Sequence, residues 1–178
     1  MTTGQRQLLM TLLGNFILWT VLGQVNHYLG SWQWRLWLGG LLIAPAAMRL
    51  DFGVGAAAAF LTGLALDAAA PVAFGTQALL LLAAHTVIFQ VRNRLARGDT
   101  PVNLLVALFA NLGLFLALSF TQIASVPVPG HAWLRLFADL LASQAAVALL
   151  TPWFFALHAR ALWLAGVGLR RESGGPVA

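Results

Sequence analysis

The chain has 178 residues, of which 60% are hydrophobic and 8% charged, with a mean hydropathy of +0.83. A soluble domain carries about 25% charged residues, so a soluble fold is excluded, and the polar segments are too short to hold a separate catalytic domain. The formal net charge is +5, every basic residue is an arginine and cysteine is absent; disulfide and thiolate chemistry are therefore out. The arginines flank apolar runs and form no stripe with interleaved aromatics, so they read as topology signals and not as a nucleic-acid footprint.

Six apolar spans follow in chain order. The first, Leu8–Leu29, is too long for a signal-peptide core and reads as an uncleaved transmembrane helix. The second, Trp34–Met48, is short and contains Pro45; the third, Phe52–Leu66, is also short. A straight span needs about 20 apolar residues. These two therefore form a thin hairpin, include a re-entrant element, or sit inside the bundle. Gly/Pro-interrupted pairs of this kind also mark binding sites in transporters. The fourth span is Phe74–Val91 and the fifth Val102–Val126. The sixth runs from near Trp133 to about Leu157, with a kink expected at Pro152.

Loop charge orients the chain. With the N-terminus inside, Arg6, Arg49, Arg92, Arg94, Arg97, Arg160, Arg170 and Arg171 are cytoplasmic, and Arg35 and Arg135 are outside. That bias places both termini in the cytoplasm. Trp32, Trp34, Trp37 and Trp133 are expected at the outer interface, with Trp153 and Trp163 toward the inner one. A carbohydrate-binding cluster at Trp32–Trp37 is the competing reading of the first three. Ser125–His131, with Pro127, Pro129 and Gly130, is expected to be a rigid outer turn. Residues 1–165 form a single transmembrane helical domain, and 166–178 a polar cytoplasmic tail.

The segment Gly53–Gly75 is the most informative. Gly55, Ala59 and Gly63 are spaced four apart and make a smooth helical stripe on which another backbone can lie closely. Asp67 follows at the rim of the hydrocarbon, where a carboxyl group needs partners. It reads either as a cap bonding the amides that open the next element, or as a contact to another subunit or a ligand. Asn111 and Gln122 share a helix face suited to interhelical hydrogen bonds. Arg135 and Asp139, at i and i+4, are expected to form a local ion pair, and a lone His85 to bond across helices. No metal-ligand spacing, Gly-x-Ser-x-Gly elbow or Walker loop occurs.

On these residues the chain resembles the MreD family, small integral membrane proteins of the bacterial rod-shape system. The resemblance runs from about Leu8 to Leu164 and is sharpest over Met48–Gly75. There a small-residue span, Phe60-Leu61-Thr62-Gly63-Leu64-Ala65-Leu66, is followed by Asp67 and, eight residues later, by Gly75. An arginine-rich loop (Arg92, Arg94, Arg97) and a closing helix with Thr151-Pro152 also match. The family's proline just before the glycine is replaced here by an earlier Pro71. The resemblance implies an all-α bundle of about six transmembrane helices, similar to the substrate-binding subunit of energy-coupling-factor transporters. It implies no catalysis, no cofactor and no metal. It also implies a scaffold role in the bacterial inner membrane, where the chain binds an MreC-like protein near the RodA–penicillin-binding-protein synthase and MreB. Gly55, Ala59, Gly63, Asp67 and Gly75 would then be the partner-binding or structural motif. The alternative is a small-molecule-binding subunit of a vitamin-type transporter, with an outer pocket drawn from Asn26, His27, Tyr28, Trp32 and Gln33.

Overall fold

The computed structural model describes residues 1–70, 73–95, 99–123 and 129–166, with the side chains of 122–123 and 129–132 outside that description. Pro71, Arg97, Pro127, Arg170, Arg171 and the tail from 167 onward lie outside the described residues, as does the Gln122 side chain.

Among the described residues the fold is all helical. The helices are α1 (Thr3–Leu29), α2 (Gly39–Arg49), α3 (Phe52–Asp67), α4 (Thr76–Val91), α5 (Thr100–Ile123) and α6 (Pro129–Leu164). Helix α1 opens with a capping box, in which the Thr2 hydroxyl accepts the Gln5 amide and the Gln5 side chain accepts the Thr2 amide; two amides with no intrahelical partner are thereby satisfied. Three helices, α1, α5 and α6, are long and apolar enough to cross a membrane.

The short helix α2 is the hub. Every residue from Gly39 to Met48 is buried, as expected of a helix that is apolar on all sides. Leu41, Ala44 and Met48 pack with Ala107, Val147 and Phe155. Ile43 joins Ala59, Leu81 and Leu114, while Ala46 and Leu50 meet Leu162. One helix thus feeds all three apolar clusters. Gly40 lets α5 approach closely, because a Cβ there would overlap the backbone of Ala107 and Asn111.

Cross-helix contacts fix the directions. Gly4 faces Val54 and Asn15 bonds Thr62, so α1 and α3 are parallel. Gly63 meets Ala78 and Gly55 meets His85, so α3 and α4 are antiparallel. Gln144 on Leu108 and Trp133 on Phe120 make α5 and α6 antiparallel; Trp37 on Ser143 and Arg49 on Phe155 run α2 parallel to α6, and hence antiparallel to α5. Thr11 with His158 sets α6 against α1. The six helices therefore alternate in direction. The described Arg6, Arg49, Arg92, Arg94 and Arg160 lie at one end, and Arg35 and Arg135 at the other.

Several boundaries differ from expectation, helix α1 beginning at Thr3 and not at Leu8. The second span is helical only from Gly39; residues 33–38 before it are non-helical. Helix α6 begins at Pro129, so the second half of the expected outer turn is helical. Proline suits the first helical position, where its missing N–H costs nothing. Helix α6 also runs on to Leu164, past Leu157 and through Pro152. Beside that proline, the Thr151 hydroxyl donates to the Val147 carbonyl at 2.6 Å.

Candidate functional site

The α3–α4 hairpin is built on Asp67. Its Oδ1 accepts the Gln77 amide at 2.9 Å, and its Oδ2 accepts Gly75 at 3.0 Å and Ala78 at 3.1 Å. These are amides that open α4 and have no partner within it. The acid at the end of one helix therefore caps the start of the next, where the helix dipole also favours it. Gly75 adopts φ +95°, a left-handed conformation that a side chain would strain.

The small-residue stripe is spent inside the chain. A Cβ on Gly63 would overlap the backbone of Ala78, and one on Gly55 would overlap the His85 ring. Ala59 is buried against Ile43 and Leu81. The stripe thus seats α4 and the hub helix α2, and offers no face to a second protein.

Residues 33–38 form a strap across the end of the bundle opposite Arg6, Arg49, Arg92, Arg94 and Arg160. They leave backbone groups without helical partners, and such groups are tolerated at membrane depth only where protein satisfies them. Side chains do so in register. Arg135, Asp139 and Ser143 are each four apart on α6. The Arg135 guanidinium donates to the Gln33 carbonyl at 2.9 Å, Asp139 Oδ1 accepts the Arg35 amide at 3.0 Å, and Ser143 Oγ accepts the Trp37 amide at 2.9 Å. Four helical residues rise about 6 Å, and two extended residues span about 6.6 Å, so the two repeats match. On the other edge, Asn26 brackets Leu36, accepting its amide at 2.8 Å and donating to its carbonyl at 2.9 Å. Asn111 Oδ1 continues the ladder by accepting the Gly40 amide at 3.1 Å.

This arrangement corrects several expectations. Arg135 and Asp139 serve the strap and make no ion pair with each other. Trp37 turns inward, its ring occupying the place a Cβ on Gly39 would take. It is no interfacial anchor, unlike the exposed Trp32, Trp153 and Trp163. His85 is fully buried beside Phe52 and Phe89, and neither ring nitrogen has a hydrogen-bond partner. The glycine opposite it leaves room for the ring but supplies no polar side chain.

Beneath the strap lies a cavity of about 250 Å³. Trp19, Trp37 and Phe115 contribute rings, Leu22, Leu42 and Leu66 aliphatic wall, and Arg35, Gln77, Ser119 and Asp139 polar groups. Of the expected pocket residues Asn26 is present, whereas His27, Tyr28, Trp32 and Gln33 do not line it; Tyr28 and Trp32 are exposed on the outside of the helix end. Sequence reasoning missed the strap because residues 34–38 contain neither glycine nor proline, so hydropathy merges them with α2. The available signal was the four-residue spacing of Arg135, Asp139 and Ser143.

At the other end, arginines hold carbonyls. Arg92 donates to Ala47 and Leu50 at the end of α2, with its guanidinium 3.7 Å from the Phe89 ring centre. Arg49 donates to the Phe155 carbonyl at 2.7 Å. Among the described residues no three His, Asp or Glu side chains gather in a metal-binding group. Comparison of the chain with protein-family models, curated proteins and solved structures yields no match.

Proposed function

We propose that this chain is an MreD-type scaffold: a six-span, non-catalytic protein of the bacterial inner membrane. Both its termini are cytoplasmic, and it binds an MreC-like partner in support of cell shape and peptidoglycan synthesis. The observation that carries the reading is where its polar groups go. Asp67, Asn26, Asn111, Arg135, Asp139, Ser143, Arg49 and Arg92 all bond this chain's own backbone. A polytopic protein built this way spends its polar residues on shape, and presents apolar helix faces such as Leu13, Phe16 and Ile17 on α1 or Leu105 and Phe109 on α5. Those faces suit lipid and a partner's transmembrane helix.

The test is co-expression with an MreC-like protein and affinity purification in mild detergent. Recovery of a stable complex is expected, with lipid-facing substitutions such as Phe16→Ala or Phe109→Ala lowering it while the chain stays folded. Failure of the folded wild-type chain to retain the partner overturns the reading. Gly63→Leu is uninformative about the partner, because it acts on the α3–α4 contact first. One observation favours the alternative, a small-molecule-binding subunit of a vitamin-type transporter: the cavity under the strap.

A further inference from the structure

The cavity carries a second, independent observation. Gln77 is 8% exposed and Asp139 7%. The Gln77 side-chain amide makes no hydrogen bond among the described residues, and Asp139 uses only Oδ1, on the Arg35 amide. Asn26 bonds both backbone groups of Leu36, and Ser119 donates to Phe115, both within the chain. Two groups more than nine-tenths buried thus remain with free hydrogen-bonding capacity, both lining the same space. The Gln77 amide and Asp139 Oδ2 are not sealed off as unpartnered buried atoms; they open onto the cavity, and no structural bond claims them. The wall around them is aromatic and aliphatic. Arg35, exposed at the rim, is the one cationic side chain lining the cavity among the described residues.

We propose that this cavity is a binding site for a small zwitterion with an apolar, ring-sized body. Its ammonium group meets Asp139 Oδ2 and the Gln77 amide oxygen, its body lies against Trp19, Trp37 and Phe115, and its anionic group faces Arg35. A cation buried against a carboxylate with rings nearby gains charge-assisted hydrogen bonding and cation–π attraction. The opposite charge at the rim disfavours ligands that are cationic alone. The volume, about 250 Å³, is below the usual range for drug-sized ligands, so the occupant is small. It is either a free solute of the amino-acid type or the ammonium and phosphate of a lipid headgroup, whose acyl stem then takes the place of the ring-sized body. The site stands whether the chain is a scaffold or a transporter subunit.

The full chain in phosphatidylglycerol nanodiscs, titrated calorimetrically with three probes of one body, tests this. L-Phenylalanine is expected to bind saturably with a Kd of about 1 mM or tighter. Phenethylamine, lacking the anion, is expected to bind at least about fivefold more weakly, and 3-phenylpropionate not at all. Asp139→Asn keeps an oxygen for the Arg35 amide and removes the charge, so phenylalanine affinity falls at least about tenfold with the fold retained. Gly23 lines the cavity and has nothing within 4 Å of an added Cβ, so Gly23→Leu is expected to crowd the cavity without a backbone clash, and to weaken phenylalanine binding with thermal stability undiminished.

Phosphatidylethanolamine nanodiscs separate the sources. Loss of phenylalanine binding there, with phosphatidylethanolamine retained on purification by wild type but not by Asp139→Asn, assigns the site to the headgroup. Unchanged phenylalanine binding assigns it to a free solute. The proposal is overturned if phenylalanine fails to bind and no phosphatidylethanolamine is retained, or if binding survives both Asp139→Asn and Gly23→Leu.

Discussion

Asp67 shows what one carboxyl group can organise in an apolar chain. Its two oxygens accept three amides at the start of α4, the first from the N-cap Gly75 eight residues later, so the turn closes largely on the side chain. Removing it leaves those amides buried without partners. Asp67→Ala is therefore expected to destabilise the folded chain by about 2–4 kcal/mol, combining the loss of a cap with the desolvation of unsatisfied donors. Asp67→Asn retains Oδ1 for Gln77 and replaces Oδ2 with a donor facing two other donors, so it recovers only part of that loss. Thermal unfolding in detergent should rank wild type above Asn and Asn above Ala. A variant order with Ala equal to wild type would show that the hairpin closes without the cap. The acid and its glycine were legible in the sequence because their residue types leave few alternatives. An acid in an apolar run needs donors, and Gly75 supplies a φ that other residues resist. What the spacing did not reveal was that all the donors lie within the same hairpin, because stripe and cap look alike whether the neighbour is the next helix or another protein.

At the scale of elements, the long helices were readable from apolar length alone, and α1 ends at Leu29 as its span does. The strap was not, because hydropathy counts transfer energy and is blind to backbone satisfaction. Residues 34–38 contain no helix breaker, yet they are non-helical, and side chains of α1 and α6 bond the backbone groups that one more helical turn would have paired. Arg135, Asp139 and Ser143 repeat every four residues to meet every second residue of the strap. The same three residues read as a local ion pair plus a stray serine when only their own helix is considered. If the ladder holds the strap, its rungs are separable. Ser143→Ala frees the Trp37 amide, and Asn26→Leu frees both backbone groups of Leu36. Each costs about 1–3 kcal/mol locally. Hydrogen exchange in nanodiscs should then show faster exchange at Leu36 and Trp37 in these variants, with the amides of α5 unchanged. Equal exchange in variant and wild type would mean the strap is held by the packing of Trp37 alone.

For the whole molecule, alternation of direction and length of helix pull apart. Six helices run up and down in turn, yet α2 has 11 residues, about 16 Å at 1.5 Å per residue, against a hydrocarbon core of about 30 Å. The strap adds length, although Gln33 is left-handed and Leu38 lies outside the extended region; the four residues between them span at most about 13 Å. In the six-span reading proposed above, the two form a broken span; its strap backbone is bonded by side chains of α1 and α6 while the Gln33, Trp34 and Arg35 side chains stay exposed, and such bonding is the condition under which non-helical backbone survives in lipid. The α3–α4 hairpin falls short in a similar way, with 16 residues in each arm, and the longer α1, α5 and α6 overhang it. In the proposed orientation the arginine-rich end faces the cytoplasm, because basic loops resist translocation. The absence of native cysteine makes this directly measurable. Ser31→Cys places a single thiol on the exposed turn before the strap, and Arg94→Cys places one at the arginine end. In intact cells a membrane-impermeant maleimide is expected to label position 31 and to spare position 94, and both should react once the membrane is opened. Labelling at 94 alone would invert the bundle and bring the cavity to the cytoplasmic side. Labelling at both would mean the chain between them does not complete its crossings, and the strap and α2 would then be a re-entrant element open to one face.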